Sequence, residues 1–154
     1  MSQRRIRRPK DQEKIYRELT DKDEFGVFNS YKDIFMISGL IGYLNDKRIS
    51  FENSLEPISW TVFNLETDET VINAVALNTS EDPSILIEDE EKFDQKITIF
   101  EEFAAGGATI LYEKLVENKR FAVNSLFELL MEAKQQRGSQ DRDIAAIADI
   151  ISFD

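Results

Sequence analysis

The stretch that decides the fold is EDEEKFDQKITIFEEFAAGGATILYEKLVEN, residues 88–118. Its apolar residues recur at steps of three and four, with one single step, which is the spacing of one helix face. Acidic residues crowd the first turn, where they complement the helix dipole. The pattern therefore predicts one long amphipathic helix in the C-terminal half. Its apolar face consists of Phe93, Ile97, Phe100, Phe103, Gly107, Ile110, Leu111 and Leu115.

Four glycines lie inside apolar helical patterns, Gly106 and Gly107 in this stretch and Gly39 and Gly42 in SYKDIFMISGLIGYLN, residues 30–45. A glycine inside a helix costs up to ~1 kcal/mol relative to alanine, and close helix–helix contact is the ordinary compensation. We therefore predict that all four are packing glycines. Phosphate cradles are disfavoured because neither pair follows a clear strand or has the lysine of a phosphate-binding loop. Residues 30–45 are apolar on nearly every side, which is typical of a helix at the centre of a domain.

The other segments complete a mainly α protein. Residues 48–66 fit no single element, because Pro57 blocks a continuous helix there. We expect a basic arm over residues 1–10, part of which could form a short strand, and a single compact helical domain over residues 11–154. The remaining predicted helices cover Lys10–Leu19, Thr67–Asn78, Ala122–Arg137 and residues 141–153.

The composition excludes several classes of site. The chain of 154 residues contains neither cysteine nor histidine, so disulfides, thiolate metal sites and the commonest general base are absent. This disfavours enzymes built on a nucleophile and a base, and we expect a non-enzymatic protein with no cofactor. No apolar run approaches the roughly 20 residues that span a bilayer, so we expect a cytoplasmic protein with no membrane partner.

The N-terminus carries the opposite charge from the rest of the chain. Residues 1–10 carry a charge of +5, from Arg4, Arg5, Arg7, Arg8 and Lys10. Because the net charge of the chain is −11, the remaining residues together carry −16. Arginines on an exposed segment bind phosphates through charge and paired hydrogen bonds. We predict these five residues as the contact for DNA, for a partner protein, or for the acidic face of a second copy in a homodimer. The alternatives are a solvated tail and an arm that pairs with the protein's own acidic surface.

Three other functions remain open. The six carboxylates of Glu81, Asp82 and residues 88–91 could hold Mg²⁺ in a carboxylate-dependent enzyme. Neighbouring acidic side chains on a helix diverge, however, so we interpret the cluster as solvated and predict no metal site. The acidic charge also suits a DNA mimic that inhibits another protein. Finally, an N-terminal strand before two helices suits a ribbon-helix-helix transcriptional regulator, whose paired strands enter the major groove.

Residues 100–115, FEEFAAGGATILYEKL, resemble a stretch like EEYANGGLEILYEKL in the family of DNA phosphorothioation-associated (Dnd system-associated) protein 4. RRPKD at residues 7–11 and YKDIFM at residues 31–36 add to the resemblance, whereas Phe103 and Ala105 depart from it and residues 51–89 do not match. It implies a place beside bacterial systems that modify DNA with sulfur and restrict unmodified invading DNA. It implies no catalytic residues. We therefore expect an accessory protein of an anti-phage defence system, with other proteins of that system as partners.

Overall fold

The computed structural model describes residues 4–21, 23, 27–117 and 122–137. In these ranges the chain forms α-helices joined by loops and short 3-10 turns, with no strand, which confirms the mainly helical class. None of these helices combines the length and the apolar composition that a bilayer crossing requires. The helix predicted for residues 141–153 lies outside the described ranges. The helices are α1 (Glu13–Thr20), α2 (Tyr31–Leu44), α3 (Asp68–Ser80), α4 (Glu90–Glu117) and α5 (Ala122–Arg137).

The core of the described structure is the contact between α2 and α4, the most extensive contact between its elements. Nine of the fourteen residues of α2 are buried, as its all-round apolar pattern predicted. Gly42 faces the backbone of Phe103 and Gly107, and Gly107 faces the carbonyl of Ser38. A Cβ added at either glycine would lie under 3.0 Å from a backbone atom of the facing helix. The two helices can therefore approach this closely because neither position has a side chain.

The other two glycines lie along the same contact. Gly39 faces the ring of Phe100, and Gly106 faces the backbone of Lys47, just beyond the end of α2. All four glycines that the sequence singled out thus lie where α2 and the residues after it meet α4.

Side-chain caps determine where the two central helices begin. Ser30 precedes α2, and its Oγ accepts a hydrogen bond of 3.2 Å from the backbone N–H of Asp33. Asp89 precedes α4, and its Oδ2 accepts one of 3.1 Å from the backbone N–H of Lys92. The long helix therefore begins at Glu90 rather than at the predicted residue 88, because Asp89 serves as the N-cap.

Residues 4–10, called the N-terminal segment below, lie against residues 53–58. Ile6 and Ile58 are both buried and exchange two backbone hydrogen bonds of 2.8 Å. Further bonds of 2.9 Å join the Lys10 N–H to the Asn53 carbonyl and the Leu55 N–H to the Arg8 carbonyl. The short strand considered for this region is reduced to two isolated antiparallel bridges. The region left open by the sequence, residues 48–66, is thus irregular and packs against the N-terminal segment.

Candidate functional site

Glu101, in the middle of α4, is the centre of a buried ionic cluster. Its side chain is fully buried, and its carboxylate accepts five hydrogen bonds from two residues of the N-terminal segment. Arg4 donates from Nη1 and Nη2 at 2.8 and 2.9 Å. Arg7 donates from its backbone N–H at 2.6 Å and from Nη2 and Nε at 3.0 and 3.2 Å. A buried carboxylate is tolerated only with such compensation, so the two arginines and Glu101 depend on one another.

Arg4 makes additional bonds along α4. It pairs with the carboxylate of Asp94, and its Nη2 donates to Thr98 Oγ1 at 3.0 Å. Burial alone would lower the pKa of Arg4, but the hydrogen bonds and negative charge of Glu101 and Asp94 outweigh it and hold the pKa above its usual value. The Arg4 guanidinium is therefore a permanent cation fixed to the surface of α4.

Arg8 has a different environment. Its guanidinium carbon lies 4.7 and 4.5 Å from the ring centroids of Tyr16 and Tyr31, which themselves pack edge to face with centroids 5.6 Å apart. Nη2 donates to the backbone carbonyl of Glu56 at 3.1 Å, and within the described residues no carboxylate pairs with the guanidinium. Burial lowers the pKa of Arg8. Burial raises the pKa of the Tyr16 hydroxyl, and the positive charge of Arg8 opposes that rise. Arg8 is thus a buried cation held by aromatic rings rather than by a directly paired carboxylate.

The structure divides the five predicted contact residues into three groups. Arg4 and Arg7 meet on Glu101, Arg8 lies apart against the rings of Tyr16 and Tyr31, and Arg5 and Lys10 are exposed. The arm that pairs with the protein's own acidic residues, an alternative from the sequence, is realised for Arg4 and Arg7. The partner is a buried carboxylate rather than an acidic surface. The predicted role of Arg5 and Lys10 as a contact stays a prediction.

Sequence reasoning missed Glu101, although its pattern contained a signal. Residue 101 follows Ile97 by four positions and precedes Ala105 by four, so it lies among buried residues of α4. A charged residue in such a row requires a partner of opposite charge. The sequence does not show which of the distant basic residues provides it.

The acidic cluster does not converge. All six carboxylate residues, Glu81, Asp82 and 88–91, are exposed. In the described part of the chain, no group of three or more carboxylates is arranged to hold a metal ion. Asp82 accepts a hydrogen bond from the backbone N–H of Ser84 at 3.0 Å, and the Ser84 hydroxyl and N–H together lower the pKa of Asp82. The arrangement thus matches the solvated interpretation of the cluster.

Several open pockets border the N-terminal segment, and two of them are lined by its arginines. One, of about 540 Å³, is lined by Arg4, Arg5, Arg7, Asp94 and Thr98. The other, of about 380 Å³, lies at the start of α2 and is lined in part by Arg8 and Lys32. These two pockets are concave surfaces at which arginines of the segment could meet an anionic group.

The described residues form a helical protein in which basic N-terminal residues are fixed to a central helix by a buried carboxylate. The family model described as DNA sulphur modification system-associated protein 4 matches residues 5–148, so the chain belongs to this family. This confirms the resemblance found in the sequence, and it indicates association with a DNA sulphur modification system. No curated protein and no solved structure matched the chain.

Proposed function

We propose that this protein is a non-enzymatic, cytoplasmic accessory protein of a bacterial anti-phage defence system linked to DNA sulphur modification. It acts by binding another protein of that system. Family membership supports the association with the system. The observation that favours a protein partner over DNA is the internal engagement of Arg4, Arg7 and Arg8.

A DNA-binding arm needs cations that are free to reach phosphates. Moving Arg4 or Arg7 onto a phosphate would remove hydrogen bonds from the fully buried carboxylate of Glu101. The residues after Lys10 carry a charge of −16, which repels a duplex. A protein surface can present basic groups to the acidic body and acidic groups to the N-terminal segment, so it suits this distribution of charge better than DNA does.

Arg5 and Lys10 are the contact residues in this proposal. Both are exposed, and the backbone around them is held by the bonds from Ile6 to Ile58 and from Lys10 to Asn53. Because the N-terminal segment is already ordered, it loses little conformational entropy when a partner binds it. The two residues therefore present positive charge at fixed positions.

The test is capture of the other proteins of the system by the tagged full chain after co-expression. The double variant Arg5→Glu/Lys10→Glu should abolish capture. The matched control Lys14→Glu/Arg17→Glu makes the same charge change on α1, where both side chains are more than 60% exposed, and should capture normally. Normal capture by the Arg5/Lys10 variant would contradict the proposal. If Glu90→Lys/Glu91→Lys abolished capture instead, the acidic DNA mimic would be favoured.

DNA is a second candidate partner, because Arg4, Arg5 and Arg7 line the same open pocket of about 540 Å³. Duplex binding by the full chain and by the two charge-reversal variants, titrated across salt, tests it. Binding that Arg5→Glu/Lys10→Glu abolishes, and the α1 control retains, would identify DNA as the partner. A paired ribbon of the ribbon-helix-helix type is not favoured, because the backbone bonds between Ile6 and Ile58 already occupy the segment.

A further inference from the structure

The pocket of about 380 Å³ lies at the N-terminal end of α2, a helix of fourteen residues. Ser30 Oγ bonds the N–H of Asp33, but the N–H groups of Tyr31 and Lys32 have no acceptor within the described part of the chain. Unbonded N–H groups and the helix dipole make such an end favourable for an anion. A helix end alone does not make a site, so a second feature is needed.

Arg8 provides this second feature. It lines the pocket, is only 5% exposed and has no carboxylate partner among the described residues. Its Nε is buried without a hydrogen-bond acceptor from the described residues, and none of them bonds to Nη1 either. The carboxylates of Glu56 and Glu13 attract Arg8, but neither pairs with it directly, and a buried cation without a directly paired counter-charge is costly. An anion in the pocket would provide that charge, and the rings of Tyr16 and Tyr31 hold the guanidinium in position for it.

We infer that this pocket is an oxyanion site that takes a phosphate group, either as the free ion or on a mononucleotide. Lys32 also lines the pocket, although its Nζ is bonded to Asp68 at 2.8 Å. Glu56 contributes an exposed carboxylate to the rim, so the lining holds two cations and one anion. The acidic body disfavours a duplex here, so the ligand is small. The site does not depend on the partner contact proposed above.

Nuclear magnetic resonance of the ¹⁵N-labelled full chain tests the site, with inorganic phosphate added at constant ionic strength and chloride as the control anion. The backbone N–H signals of Tyr31 and Lys32 and the Nε–H signal of Arg8 should shift and saturate with phosphate but not with chloride. Shifts that never saturate, or that chloride reproduces, would overturn the inference. The same titration with dCMP distinguishes the two sources, because tighter binding than phosphate indicates a nucleotide and equal binding the free ion.

Surface variants keep the test independent of folding. Val62 lines the pocket and is 55% exposed, whereas Leu65 is 61% exposed and does not line it. Val62→Glu places a carboxylate beside the anion and should weaken phosphate binding by at least about tenfold. Leu65→Glu makes the same charge change and should leave the affinity unchanged. Equal affinity of the two variants would refute the site.

Glu56→Gln gives the opposite expectation, because it removes the negative charge from the rim of the pocket. Phosphate should then bind more tightly, by a factor of several. Its backbone carbonyl, which accepts the bond from Arg8, is retained in this variant. Weaker binding would contradict the inference, since it would mean that the Glu56 carboxylate supports phosphate binding instead of repelling the anion.

Discussion

Two regions hold α4 in place by different means. Along one side, Gly42 and Gly107 allow the backbones of α2 and α4 to touch. Elsewhere on α4, Glu101 binds Arg4 and Arg7, which lie 97 and 94 positions earlier in the chain. The first region depends on shape and follows from local spacing. The second depends on charge and follows only from the tertiary fold. The comparison shows that the periodicity of the sequence predicts the helix α4 but does not predict which residues pair with its one buried carboxylate, Glu101.

Glu101→Gln should have the largest effect on this comparison, because it removes the negative charge that two arginines share. We expect a loss of about 3–5 kcal/mol in the free energy of unfolding, the usual cost of breaking a buried ion pair. Urea denaturation measures it. The matched control is Glu102→Gln, at the next position along α4. The Glu102 side chain is 19% exposed and pairs with Arg48, which is 41% exposed. The control should cost about 1 kcal/mol or less, and equal costs would show that burial of Glu101 contributes nothing.

Gly107→Ala tests the other region. A methyl group there would overlap the carbonyl of Ser38, which cannot move without shifting α2. We expect a loss of about 2–3 kcal/mol, as for overpacked cores, measured by the same denaturation. Gln95→Ala, at an exposed position of α4, should change stability by about 0.5 kcal/mol or less. If Gly107→Ala stabilised the protein, as helix propensity alone would require, the close contact of the two helices would be refuted.

The sequence predicted the apolar framework well and the polar contacts poorly. The apolar periodicity placed α2 and α4 within two residues of their observed ends, because core positions repeat with the helix turn. The N-terminal segment carried no such signal. Its charge indicated an exposed arm, yet Ile6 is buried, and whether an arginine meets solvent or a carboxylate depends on contacts far along the chain. The conformation of residues 48–66 was not predictable for the same reason, since Ser54 and Ile58 in this range form bridges to Pro9 and Ile6, far earlier in the chain.

The cap of α2 is a local feature, and a smaller effect is expected from it. Ser30→Ala removes the acceptor for the Asp33 N–H and should cost about 1 kcal/mol in urea denaturation. Ser30→Asp retains an acceptor at the same position and should preserve the stability of the natural chain. If the alanine variant unfolded at the same urea concentration as the aspartate variant, packing alone would determine where α2 starts.

The smallest effect is expected at Asp82, whose contact is more local than the others tested, because its partner Ser84 is two residues away. The Ser84 hydroxyl and N–H lower the pKa of Asp82 below its ordinary value of about 3.9. A lowered carboxyl pKa stabilises the fold above the unfolded pKa, and that contribution is lost as the pH falls through the folded pKa. Carboxyl ¹³C titration should show the lowered pKa, and Ser84→Ala should raise it towards 3.9. Ser80→Ala is the control, because Ser80 Oγ accepts a hydrogen bond from the backbone N–H of Asp82 and not from a group that contacts its carboxylate. An equal rise in both variants would mean that the turn as a whole, rather than the Ser84 hydroxyl, determines the pKa of Asp82.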